Sequence, residues 1–180
     1  MRRDAVENRK RIEDCARQLF TKEGVENVSM NQISKTLGIG MATLYRNFED
    51  KQALCYQLIQ NDFSELFKNM HAVLEDNKRN KEEKLEVLLE QFLTFKNAHK
   101  DLLRCVEGNK KRVSFKQQPA YTELFNIFYE VLNSDDDLTW NTFKTDMFLN
   151  SLTTNMYQFQ LEERGLTDMQ LKEYLLRMFK

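Results

Sequence analysis

One proline, Pro119, and five glycines are all that punctuate 180 residues. With so few breakers, and with Leu, Lys, Glu, Gln, Met and Phe abundant, the chain predicts an all-α protein. Its length is near that of one domain, or of a small module fused to a larger one, and needs no staple or metal to fold. No window approaches the apolar length that crosses a bilayer, and charge rather than an apolar segment follows Met1-Arg2-Arg3-Asp4. Cys15, Cys55 and Cys105 are odd in number and widely spaced, which fits a reducing cytoplasm better than a disulfide framework.

Apolar spacing divides the chain into helices. Asp4 and Glu7 have the spacing of a capping box, ahead of a stripe at Ile12, Cys15, Ala16, Leu19 and Phe20 that Gly24 ends. Ser29 and Gln32 form a second box, and Met30, Ile33 and Leu37 give the next helix a narrow buried face. Gly38 and Gly40 stop it within two turns, with Ile39 between them as a plug for the turn. A short helix from Met41 to Phe48 then buries Leu44 and Phe48. Asp50 caps a long fourth helix carrying Leu54, Leu58, Phe63, Leu66, Met70 and Val73. Residues 76–81 read as a loop, and Leu85, Leu88, Leu89, Phe92 and Phe95 mark a helix over about 82–99. Residues 108–118 read as a flexible connection, and Tyr121 to Leu132 as a further helix. Ser134-Asp135-Asp136-Asp137 makes a turn and a negative start for a helix over about 138–163. That helix is apolar on more than one face, from Trp140 to Leu161, as a helix buried on two sides would be. Gly165 ends it, and a third box, Thr167 with Gln170, opens the last helix, about 167–180.

A short helix, a glycine-containing turn and a second short helix predict a helix-turn-helix whose second helix lies in the DNA major groove. With Leu44 and Phe48 turned inward, Met41, Ala42, Thr43, Tyr45 and Asn47 are left facing outward. Met41, Ala42 and the Thr43 methyl match a thymine methyl, and the Thr43 hydroxyl can hydrogen-bond to a base edge. Tyr45, Asn47, Ser29 and Lys51 suit phosphate oxygens, and the helix starts at Ser29 and Asp50 add backbone donors. Residues 1–51 carry ten basic against eight acidic side chains, and the remainder seventeen against twenty. The bias is mild and permits a phosphate-binding N-terminus on an acidic body.

The run Gly38-Ile39-Gly40-Met41-Ala42-Thr43-Leu44-Tyr45-Arg46-Asn47-Phe48, followed by Asp50-Lys51 and Leu54, resembles the signature of the tetracycline-repressor (TetR) family. Ile12, Ala16, Leu19-Phe20, Gly24 and Val28-Ser29 extend the likeness over about residues 10–55. The resemblance implies a homodimeric transcriptional regulator, usually a repressor, with a variable C-terminal effector-binding and dimerisation domain. It also implies phosphate contacts from Tyr45 and Lys51, and dimer pairing through residues 138–180. The surplus apolar surface of residues 140–161 supports the same pairing independently. One departure is Asn47, where the family commonly has histidine.

The expected architecture is a three-helix DNA-binding domain, residues 1–50, joined by the long fourth helix to a helical effector-binding and dimerisation domain, residues 51–180. Its partners are a palindromic double-stranded operator, a second copy of the chain and a small effector, with no membrane. Phe92, Phe95, Phe125, Phe128, Trp140, Phe143 and Met147 are candidates to line an apolar pocket for a lipophilic or aromatic effector. His71 and His99 lack a metal-ligand spacing, and Asp135-Asp136-Asp137 lacks the alternation of a calcium loop. Gly38-x-Gly40 is too short for a dinucleotide fingerprint, and Lys110-Lys111-Arg112 reads as a solvated loop. The three cysteines could form a redox switch, but with nothing basic beside Cys55 to lower a thiol pKa they read as small buried hydrophobes. With no catalytic constellation, metal site or cofactor motif, the chain is not read as an enzyme. Two other functions compete: a DNA-organising or interaction factor without an effector, and an enzyme or carrier with a vestigial DNA module.

Overall fold

The computed structural model describes residues 2–107, 118–133 and 137–179, and among these the regular structure is all helical, with no strand. The expected segments at Lys110-Lys111-Arg112 and at Ser134-Asp135-Asp136 lie outside the described residues. The helices are α1 (Arg2–Glu23), α2 (Met30–Leu37), α3 (Met41–Asn47), α4 (Lys51–Leu74), α5 (Lys81–Ala98), α6 (Lys100–Glu107), α7 (Pro119–Leu132), α8 (Leu138–Ser151), α9 (Thr154–Gln158) and α10 (Asp168–Phe179). None is long and apolar enough to cross a membrane among the described residues.

The chain forms two compact units. One holds α1 to α3, α4 as far as Asn61, and α6; the other holds α4 from Asp62, with α5 and α7 to α10.

In the first unit the apolar stripe of α1 (Ile12, Cys15, Ala16, Phe20) is buried together with Met30 and Ile33 of α2, Leu44, Phe48, and Leu54, Leu58 and Ile59 of α4. Leu19 and Leu37 are only half-buried. Ser34 takes the inner position instead, because its hydroxyl donates to the Ile39 carbonyl at 2.6 Å and so leaves no polar atom stranded. The cap residues behave largely as their chemistry dictates. Ser29 Oγ accepts from the Gln32 amide N–H at 3.2 Å, and Asp50 Oδ1 accepts from the Ala53 N–H at 2.7 Å. The box at Ser29 is one-sided, since the Gln32 side chain donates to Glu23 Oε2 at 2.8 Å instead. Helix α1 already runs from Arg2, so Asp4 lies inside its first turn rather than at a cap.

Gly38 closes α2 at φ 66°, its N–H donating to the Lys35 and Ser34 carbonyls. A Cβ there would meet nothing within 4 Å, so the cost of a side chain is the backbone conformation alone. Gly38→Ala should therefore lower stability by about 1–2 kcal/mol, read as an earlier denaturant midpoint. A variant that unfolds with the parent would refute this account of the turn.

The second unit is built around a run of aromatic rings. Phe92 of α5 meets Phe128 of α7 edge-on at 6.2 Å, Phe128 meets Phe148 of α8 at 4.9 Å, and Phe148 meets Phe179 of α10 edge-on at 5.1 Å. Helix α5 opens on a capping box that the spacing analysis did not single out, Asn80 and Glu83, each side chain accepting from the other's backbone N–H at 2.9 Å. The expected box at Thr167 and Gln170 forms in both directions, at 3.2 and 3.0 Å.

The structure adds one helix to those the spacing predicts and breaks another. Residues 100–107, which the apolar spacing left unassigned, form α6, burying Leu103 and Val106. The single helix expected over 138–163 is broken: α8 ends at Ser151, Thr153 is extended (φ −59°, ψ 150°), and α9 passes at Phe159–Glu163 into a wider π turn. The cause is local. Ser151 Oγ donates to the Phe148 carbonyl at 2.6 Å and Thr153 Oγ1 to the Asn150 carbonyl at 2.9 Å, so hydroxyls compete for acceptors at the helix end.

Candidate nucleic-acid interface

Helix α3 has only seven residues, so its orientation is set by what it buries. Leu44 and Phe48 are inaccessible, and successive residues turn by about 100°. That rotation puts Ala42 and Arg46 on the side opposite the two anchors, with Thr43 beside them. Ala42, Tyr45 and Arg46 are exposed, while Met41, Thr43 and Asn47 are half-buried. Arg46 was not among the expected site residues. Its position one turn after Ala42, on the face opposite Leu44, is the signal that would have included it.

The expected phosphate-facing residues are not alike in what they already do. Ser29 is exposed at the start of α2 and only accepts within the cap, so its own hydroxyl hydrogen can be given to an outside acceptor. Asn47 Nδ2 donates to the Thr43 carbonyl at 2.8 Å, which turns its amide along its own helix. Lys51 starts α4 with Nζ 3.4 Å from the Glu26 carbonyl and 6.0 Å from the centre of the Phe20 ring, over the turn between α1 and α2.

Sequence spacing did not find the brace of this unit, Arg9. Its guanidinium lies 4.4 Å from the centre of the Phe48 ring. It also donates to the Asn47 carbonyl at 3.1 Å and to Gln57 Oε1 at 2.7 Å, and pairs with Glu13 at 3.4 Å. One side chain thus ties α1 to the end of α3 and to α4. Arg17 adds a second tie, donating to the Leu58 carbonyl. These partners are about 40 to 50 residues away in sequence, beyond the reach of any local pattern.

The aromatic candidates in the second unit separate into two sets. Phe92 and Phe128 are buried against each other, Phe95 is buried 4.7 Å from Phe63, and Phe125 is half-buried on Tyr129. Trp140, Phe143 and Met147 instead lie on the outer face of α8, at 47, 53 and 42% exposure, with the rings of Trp140 and Phe143 stacked at 6.0 Å. The inner face of the same helix carries Asn141 and Thr145, at 2 and 0% exposure, beside Phe148 and Leu149. Tyr174 and Met178, one turn apart on α10, are exposed as well.

Residues 12–57 match the family described as bacterial regulatory proteins, tetR family. An HTH-type transcriptional regulator of Staphylococcus aureus (strain USA300) is 46% identical over 179 residues, covering 99% of this chain and 96% of its own. Its counterpart in strain MRSA252 is 45% identical over the same span. Among solved structures, Thermus thermophilus FadR, a TetR-family transcriptional repressor in complex with lauroyl-CoA, aligns with a TM-score of 0.74 at 17% identity, over 95% of this chain and 92% of that one. The fatty acid degradation regulator FadR from Bacillus halodurans aligns with a TM-score of 0.64 at 16% identity, over 95% and 93% of the two chains. At these identities the structural likeness is one of fold.

Proposed function

This chain belongs to the TetR family of helix-turn-helix transcriptional regulators, and from that premise we propose that it is a homodimeric repressor, released from a palindromic operator by a small effector. The observation that carries the reading is the division of α3 into a buried side, Leu44 and Phe48, and an accessible side with Ala42, Tyr45 and Arg46. Residues 1–50 are assigned to DNA and residues 51–180 to the effector and the partner copy. Met41, Ala42 and Thr43 read base edges. Tyr45, Lys51 and Ser29 hold phosphates; Lys51 exchanges the Glu26 carbonyl for a phosphate oxygen, a stronger charge-assisted partner. Asn47 is the weakest of the set, because one of its two amide N–H donors is already given to the Thr43 carbonyl.

Pairing through α8 and α10 would set two reading heads about 34–36 Å apart, one turn of the duplex. An effector that favours another spacing of the heads shifts the population away from the DNA-bound form. The aromatic interior of the second unit suits an apolar or aromatic ligand, in keeping with the lauroyl-CoA held by the Thermus protein.

Selection of random duplexes on the purified protein tests this directly. Recovered sequences should be palindromic and should bind two chains per duplex. On the selected duplex, Lys51→Ala should flatten the slope of log affinity against log salt by about 0.9. Tyr45→Phe, which removes one hydroxyl, should weaken binding without changing the slope. Wild-type affinity and slope in both variants would overturn the phosphate assignments.

A further inference from the structure

Cys55 and Cys105 meet in the first unit. Cys55 lies on α4 one turn after Lys51 and is fully buried; Cys105 lies on α6 and is half-buried. Cys105 Sγ donates to the Lys51 carbonyl at 3.9 Å, and the Cys55 thiol, one turn further along α4, is near enough for each thiol to act on the other. Gln52 Nε2 donates to the Val106 carbonyl and holds the two helices together at this point. An open cleft of about 380 Å³ reaches Cys105, walled by Glu26, Asp50, Lys51, Gln52 and Arg104. Lys51, four residues before Cys55, is the basic neighbour that reading along the sequence overlooked.

The environments of the two sulfurs differ in the direction that a two-thiol reaction needs. The neighbouring Cys55 thiol and the Lys51 ammonium pull the Cys105 thiol below its ordinary value, against burial and against Glu26 and Asp50. The neighbouring Cys105 and burial push the Cys55 thiol up. Geometry points the same way: Cys105 reaches the cleft, where a reagent meets it first, and the fully buried Cys55 lies behind it.

We propose that Cys105 and Cys55 form a thiol switch in the reading head: a hydroperoxide entering the cleft oxidises Cys105, and Cys55 closes an intrachain disulfide that weakens DNA binding. The Cys105 thiolate attacks the distal peroxide oxygen and the O–O bond breaks. The departing oxygen takes a proton and leaves as an alcohol, or as water from hydrogen peroxide, with Cys105 now a sulfenic acid. Cys55 sulfur attacks the Cys105 sulfur, the S–O bond breaks, and hydroxide leaves as water with the Cys55 proton. Two thiols lose two electrons and two protons, and the peroxide gains them. Closure brings the sulfurs to about 2.05 Å, drawing α6 toward the first turns of α4 and removing Cys105 from the Lys51 carbonyl. The effect on DNA rests on the reading of Lys51 as a phosphate anchor given above.

The full chain, reduced and then treated with hydrogen peroxide, should keep one of its three thiols and lose about 2 Da. A Cys55–Cys105 peptide should be recovered, and affinity for the selected duplex should fall about tenfold or more until dithiothreitol restores it. Cys55→Ser should stop at a dimedone-reactive Cys105 carrying about 16 Da of added oxygen. Cys105→Ser should keep its affinity in peroxide, and Cys15→Ser should respond like wild type. Three surviving thiols, a bridge only between chains, or a Cys55–Cys105 bridge that leaves affinity unchanged would each overturn the switch. If the reduced protein selects no duplex, the DNA-binding reading fails instead, while the mass measurement still decides whether the bridge forms.

Discussion

A Phe143→Glu variant should sediment as a single chain of 21.6 kDa, where the parent should sediment as a pair. Helix α8 differs from an ordinary surface helix in being apolar outside as well as inside, where Phe148 and Leu149 are buried. It turns the amide of Asn141 and the hydroxyl of Thr145 inward, the latter donating to the Asn141 carbonyl at 2.9 Å, and turns Trp140, Phe143 and Met147 outward. Such an apolar outer face, continued by the exposed Met178 of the neighbouring α10, is what a partner helix pair would cover. In a lone chain the introduced carboxylate points to water and costs little. In a symmetric pair the substitution would bury two such groups without counter-ions, at several kcal/mol each. Loss of pairing turns two linked DNA contacts into independent ones, so operator affinity should fall by about 10²–10⁴. Helical circular dichroism should be unchanged, which separates lost pairing from lost folding. A variant that still runs as a pair and binds like wild type would put the interface on another face.

The reading head was largely visible in the sequence, because its determinants are local. Ser29 and Asp50 announce helix starts by their side-chain oxygens, Gly24 and Gly38 announce stops by their positive φ, and the four-residue spacing of Leu44 and Phe48 fixes the inner side of α3. What spacing missed depends on partners far along the chain. Arg9 finds Asn47 and Gln57 only once α1, α3 and α4 are packed, and the neighbourhood of Cys55 and Cys105 needs α6 laid on α4. Helix α6 itself buries just Leu103 and Val106, too few for a periodic signal. The break after Ser151 is a hydrogen-bond effect, and a hydrophobic pattern that continues through Leu152, Met156 and Tyr157 hides it. Outward-facing residues on α3 follow from rotation alone. Whether a side chain such as Asn47 is already engaged does not, since that depends on the rotamer it adopts.

Phe48→Ala should cost about 3–5 kcal/mol, the largest single loss expected in the first unit. The ring is almost wholly removed from water at the C-terminus of α3, and truncation leaves a cavity among helices already held by Leu44, Leu54 and Leu58. It also removes the surface on which the Arg9 guanidinium rests at 4.4 Å, a contact of about 0.5–2 kcal/mol. Whole domains are stable by only about 5–15 kcal/mol, so this change consumes a large share of the margin. Phe48→Leu separates the two contributions: it keeps most of the volume and loses the π face, so it should fall well short of the alanine variant. The functional consequence differs in kind from that of Lys51→Ala. Losing the phosphate contact proposed for Lys51 should change the salt slope of a folded reading head, whereas losing Phe48 should unseat the inner side of α3, so that the proposed base and phosphate contacts fail together. Chemical denaturation followed by circular dichroism reads the stability, and binding to the selected duplex reads the rest. An alanine variant within about 1 kcal/mol of the parent would mean that α3 is held by something other than the Leu44–Phe48 side and its Arg9 brace.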